Sequence, residues 1–93
     1  MIKSFKCKET EKIWDQKFSK HFPENIHKIA LRKLFMIHRA GELRDLSIPP
    51  ANKLEKLKGD RKNQYSIRIN DQFRICFFWE ESNAYEVEIV DYH

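Results

Sequence analysis

The stretch QYSIRINDQFRICFFWEESNAYEVEIV, residues 64–90, decides how this chain folds. Apolar and polar residues alternate through three runs. Tyr65, Ile67 and Ile69 share a face of the first, and Phe73, Ile75, Phe77 and Trp79 share a face of the second. Tyr85, Val87 and Ile89 share a face of the third. A period of two is the mark of strands that lay one face on a core. The polar breaks between the runs are short, so a three-stranded antiparallel meander is expected.

Core matching also sets the register. Pairing Ile69 with Phe73 and Ile67 with Ile75 puts Arg68 directly opposite Arg74, and like charges in that position repel. A local conflict without visible compensation is typical of functional sites. In the next hairpin, matching Phe77 with Val87 and Ile75 with Ile89 places Arg74 opposite Val90. The same register brings Tyr92 to the face of the two arginines, with His93 beside it.

Upstream, Met1–Lys6 alternates and reads as a short strand. Residues 9–21 carry Ile13, Trp14 and Phe18 at helical spacing, ending before Pro23, which suits the start of a second helix. From Glu24 to Ala40 the stripe of Ile26, Ile29, Ala30, Leu34 and Ile37 marks that helix, with Gly41 as its stop. Ile48-Pro49-Pro50 is extended, because a residue before proline avoids the helical region. Leu54–Arg61 then reads as a polar loop with two buried leucines. The expected fold is α/β (α+β): an N-terminal strand, two helices and the meander, in a single domain over residues 1–93.

The 93 residues hold no apolar stretch long enough to span a membrane, and Met1-Ile2-Lys3-Ser4 does not open a signal peptide. Cys7 and Cys76 lack metal-ligand or redox spacing, which fits a reducing, cytoplasmic setting. His21, His27 and His38 show no ligand spacing either, so neither a metal nor another cofactor is expected. Net charge is +4, and its distribution is uneven. Residues 53–74 carry seven basic and three acidic side chains, whereas residues 75–93 carry five acidic and no basic ones. A basic face beside an acidic terminal strand follows, and the plain alternative is solvated charge spread over the surface.

Lys58 and Arg61, from the loop leading into the meander, can join Arg68, Arg74 and the Tyr92-His93 end. Together they would form an anion site with one titratable group. Each member also has a structural reading: Lys58 and Arg61 as solvated loop residues, Arg68 and Arg74 as partners of Glu86 and Glu88. Tyr92 would then be an edge cap and His93 a plain tail.

The runs LEKLKGDR (54–61), QYSIRINDQFRI (64–75) and VEIVDYH (87–93) resemble the signature of HigB toxins, within the RelE/ParE superfamily. The likeness extends over nearly the whole chain, including the first strand and Ile48-Pro49-Pro50. It implies a RelE-like domain acting as a ribosome-dependent endoribonuclease, an mRNA interferase that stops translation by metal-free cleavage. It also implies a helix-turn-helix antitoxin of the HigA type, through which alone the toxin would meet operator DNA. By resemblance, Arg74, His93, Tyr92 and Lys58 are the catalytic positions, and Arg61, Arg68 and Lys56 grip RNA phosphates. Some members carry a histidine where Glu55 stands, so Glu55 cannot serve there as a cation. Two other functions fit a cationic face: a ParE-like toxin acting on DNA gyrase without cutting RNA, and a non-catalytic RNA-binding module.

Overall fold

The computed structural model describes residues 1–92; His93 lies outside the described residues. Two α-helices, α1 (Lys8–Trp14) and α2 (Glu24–Arg39), precede a four-stranded antiparallel sheet. Its strands are β1 (Glu55–Lys56), β2 (Gln64–Arg68), β3 (Phe73–Glu80) and β4 (Asn83–Asp91), side by side in chain order. The meander is present as expected. The extra strand β1 comes from the segment read as a loop, where only two residues pair, Glu55 with Ser66 and Lys56 with Tyr65. Two residues are too few for an alternating pattern to show in sequence.

The core lies between the helices and one face of the sheet. Ile13 from α1 and Ile26, Ala30, Leu34 and Ile37 from α2 cluster with Ile67, Ile75, Phe77, Val87 and Ile89. The α2 stripe is the expected one, with one addition: Lys33 is buried within it. The helix ends at Arg39, one residue short of the expected Ala40, and Gly41 is not in the left-handed region. Instead, Asp45 Oδ2 accepts the backbone N–H groups of Gly41 and Glu42 at 3.1 and 2.9 Å.

The first helix is shorter than its apolar spacing suggests. It stops at Trp14, where Gln16 turns left-handed (φ 61°). Gln16 N–H bonds to Ile13 C=O, and Lys17 N–H bonds to Lys12 C=O at 2.8 Å, the paired bonds of a Schellman stop. The chain then folds back so that buried Ser19 donates to Glu9 Oε1 at 2.6 Å, and Phe18 is left 61% exposed. A side chain–side chain bond ten residues apart is a tertiary event that helical periodicity does not report. Thr10 ties the helix to the sheet by accepting the Ile89 N–H at 3.0 Å.

The N-terminal segment lies parallel to β4, but only through bridges Ile2–Ala84 and Phe5–Val87. A bulge in β4 interrupts the pairing. Register shifts by one residue between Cys76 and Phe78, Glu86 takes φ 52°, and its N–H is caught by Ser4 Oγ at 2.9 Å. The bulge inverts the face pattern beyond it. Ala84, rather than Tyr85, is the fully buried residue. Ile75–Ile89 and Arg74–Val90 keep the expected register, whereas Phe77 and Val87 fall at the irregularity.

Candidate active site

The sheet face turned away from the helices carries the cationic residues. Arg68 sits opposite Arg74 as the register required. The compensation that the local pattern did not reveal comes from two different carboxylates. Arg68 Nη2 pairs with Asp71 in the adjoining turn, and Arg74 Nη2 lies 3.6 Å from Glu55 Oε1 on β1. Asp71 and Glu55 are wholly and half exposed, so solvent screens each pair and each contributes little to stability. Their effect is to let two guanidinium groups share one face. Glu86 and Glu88 do not pair with these arginines. Glu88 is instead bound by Arg61 Nη1 at 3.1 Å, with Lys6 at 4.0 Å.

Arg74 is nearly buried and held from two sides. Its Nε–H donates to Ser66 Oγ at 2.8 Å, and Nη2 donates to the Lys53 carbonyl at 2.5 Å. Tyr92 lays its ring against the guanidinium, 5.6 Å from Cζ to ring centroid, a cation–π contact. Among the described residues Nη1 has no hydrogen-bond partner, yet no buried side-chain polar atom is unsatisfied, so Nη1 reaches solvent. Arg74 lines an open depression of about 360 Å³ together with Lys53, Arg68, Asn70, Asp71 and Tyr92.

The rim is built by the tight turn after β2. Asn70 Oδ1 accepts the N–H groups of Gln72 and Phe73 at 2.9 and 2.8 Å, an Asx turn that aims Asp71 back at Arg68. Gln72 anchors the end of the chain: its carbonyl accepts the Tyr92 N–H at 2.5 Å, and its side-chain amide donates to Asp91 at 3.0 Å. These bonds hold the Tyr92 ring over Arg74.

The residues picked from sequence divide into three groups. Arg68, Arg74 and Tyr92 meet in one depression. Lys58 and Lys56 line a different one, with Leu57, Gly59, Lys62 and Asn63. Arg61 is turned onto Glu88 and Gln64 on the sheet face. His93 lies outside the described residues. Lys53 and Ser66 were not foreseen. Ser66 shows the parity of Arg68 and was legible as a neighbour, but Lys53 enters through a left-handed backbone (φ 44°) that no pattern announced. His38 and His27 have structural partners, the Ile2 N–H on Nδ1 (3.1 Å) and the Phe22 carbonyl near Nε2 (3.0 Å). Among the described residues, no three His, Cys, Asp or Glu side chains group as metal ligands. Cys76 is fully buried beneath the cationic face, and burial pushes its thiol up from the ordinary range.

A two-helix layer on an antiparallel sheet, with a cationic outer face and Tyr92 laid against it, is the arrangement of a RelE-like toxin fold. The YoeB–YefM complex from Staphylococcus aureus shares it at a TM-score of 0.62 and 23% identity, covering 100% of this chain and 95% of that one. The family model "HigB-like_toxin", RelE-like toxin of type II toxin-antitoxin system HigB, matches residues 3–93, and the chain belongs to that family. "Toxin HigB-1" of Vibrio cholerae is 38% identical over 85 residues, 90% of each chain. "Endoribonuclease HigB" of Proteus vulgaris is 34% identical over 94 residues, 100% of each. As a type II toxin the protein has an antitoxin partner. Among the described residues no helix is long and apolar enough to cross a membrane.

Proposed function

We propose that this HigB-family endoribonuclease cuts mRNA on the ribosome by metal-free attack of a 2′-hydroxyl on the adjacent phosphate, with Arg74 as the main transition-state stabiliser. The observation that carries this reading is the guanidinium of Arg74. It is fixed by Ser66 and Lys53, flanked by Tyr92, and lines the cationic depression beside Lys53 and Arg68. Such a group is preorganised to take negative charge as it grows on non-bridging phosphate oxygens.

The chemistry needs a base to remove the 2′-proton, cations to hold the five-coordinate phosphorus, and an acid for the departing 5′-oxygen. The products are a 2′,3′-cyclic phosphate and a 5′-hydroxyl. His93 follows the Tyr92 anchor and suits the proton transfer near neutral pH. Arg68 and Lys53 hold flanking phosphates, and Tyr92 offers a stacking face to a base. Lys58 assists at the reacting phosphate, as its match to the family implies, and Lys56 and Arg61 grip the RNA backbone beside it. Lys58 matches a catalytic position of the family and is the assignment most directly open to mutation. The working unit is one domain in the cytoplasm, silenced by a helix-turn-helix antitoxin of the HigA type, which alone brings it to operator DNA.

The test is 5′-end mapping of cellular mRNA after induction of wild type, Arg74→Ala and His93→Ala. Cuts inside translated codons that vanish in both variants are expected. Growth arrest with intact mRNA would reject the nuclease and direct attention to gyrase or to simple RNA binding.

A further inference from the structure

Lys33 and Asn52 are the most deeply buried polar pair that the proposed chemistry leaves unused. Lys33 rises from the apolar stripe of α2 at 6% exposure, and Asn52 is fully buried at the end of the short 3-10 turn Pro50–Asn52. The Lys33 ammonium donates to Asn52 Oδ1, its one hydrogen-bond partner among the described residues. No carboxylate of the described residues pairs with it, and burial together with the nearby Arg32 and Arg68 lowers its pKa. A charge kept in an apolar layer without a counter-ion is costly, and a leucine or methionine would fill the stripe more cheaply.

What the pair holds is the backbone that holds Arg74. Asn52 Nδ2 donates to the carbonyls of Leu46 (3.1 Å) and Ile48 (3.5 Å), so one amide joins α2, the 3-10 turn Leu43–Ser47 and its own turn. The next residue, Lys53, reverses the chain at φ 44° while its N–H bonds to the Pro50 carbonyl at 3.0 Å. A left-handed conformation is unfavourable for a lysine and persists where its surroundings impose it. That reversal delivers the Lys53 carbonyl to Arg74 Nη2 at 2.5 Å. A continuous bonded path therefore runs from α2 through Asn52 and Lys53 to the guanidinium.

We propose that Lys33 and Asn52 are positioning residues that fix the Lys53 carbonyl and, through it, the orientation of the Arg74 guanidinium. The proposal rests on the reading of Arg74 as the phosphate-gripping residue. It explains why a lysine stands in the α2 core stripe. Lys33 sits behind the site and touches no RNA, so its loss affects turnover rather than substrate affinity.

The experiment uses wild type, Lys33→Met, Asn52→Ala and Arg74→Lys, the last to assign the Arg74 Nε–Hε resonance in protein labelled with 15N-arginine. Ribosome-programmed cleavage supplies kcat and KM. In Lys33→Met and Asn52→Ala, the Arg74 resonance is expected to move or broaden, and kcat to fall roughly 10- to 100-fold with KM nearly unchanged. Lys33→Met keeps the side-chain length without burying a charge, so it supplies a folded variant even where Asn52→Ala does not. A Lys33→Met protein with an unmoved Arg74 resonance and wild-type kcat overturns the proposal, whatever its melting temperature. Should wild type cut no RNA while the resonance still responds to both changes, the positioning stands and the nuclease reading falls.

Discussion

Replacing Arg74 by lysine separates charge from geometry at the centre of the site. The substitution keeps one positive charge but removes the planar fork that spans Ser66 Oγ at 2.8 Å and the Lys53 carbonyl at 2.5 Å. An ammonium on a shorter, unforked head serves one of these acceptors and leaves the other poorly satisfied in a nearly buried place. An abandoned buried polar group costs about 1–3 kcal/mol. For a chain of this size each kcal/mol lowers the melting temperature by about 4–8 °C. The Glu55 contact at 3.6 Å involves a half-exposed carboxylate and adds little to this loss. Catalytically, losing one preorganised charge stabiliser costs about 10²–10³-fold, and the retained charge puts Arg74→Lys near the lower end. The assay is thermal unfolding beside single-turnover cleavage of ribosome-bound mRNA, run well below both melting temperatures. A folded Arg74→Lys protein that cuts at nearly the wild-type rate would show that charge alone suffices and refute a role for the fork.

Further outcomes follow from three other parts of the molecule. Glu9 is held below the ordinary carboxylate range, first by the Ser19 hydroxyl and then by Lys12. That contribution is present above the unfolded carboxylate value and lost as pH falls through Glu9's lowered value, so Ser19→Ala should destabilise most at neutral pH and less in acid, where only the loss of the His21 N–H bond to Ser19 Oγ (3.2 Å) remains, as read by thermal melts. Cys76 is fully buried with a raised thiol pKa, whereas Cys7 is half-buried, so a thiol reagent should label Cys7 in the folded protein and Cys76 only on unfolding. Because the raised value keeps the folded thiol protonated after the unfolded one ionises, stability should decline above the ordinary thiol range, and Cys76→Ala should remove that decline. At the β4 bulge, Glu86→Gly should stay within about 1 kcal/mol of wild type, since relief of the left-handed strain offsets glycine's extra chain entropy. Glu86→Val should be clearly less stable in urea titrations, because a β-branched residue resists that conformation.

Much of this molecule follows from local pattern. Alternation over residues 64–90 determined the meander, and its register as far as the β4 bulge, down to Arg68 facing Arg74, because the side-chain period of a strand leaves one pairing that buries Ile67, Ile75 and Ile89 together. The helical stripe from Ile26 to Ile37 determined α2 in the same way, and the Leu54–Arg61 and Asp91-Tyr92-His93 segments carried the family resemblance. The tertiary structure decided what depends on contacts between distant residues. The early stop of α1 depends on Ser19 reaching Glu9, the face of Ala84 on a bulge caught by Ser4, and the tolerance of two facing arginines on Glu55 and Asp71. The placing of Lys58 and Arg74 on different depressions and the entry of Lys53 into the site belong to the same class. Periodicity reports which face a residue shares with its neighbours two to four positions away. A left-handed turn, a bulge or a hydrogen bond across many residues leaves no such period, and these features place the guanidinium of Arg74.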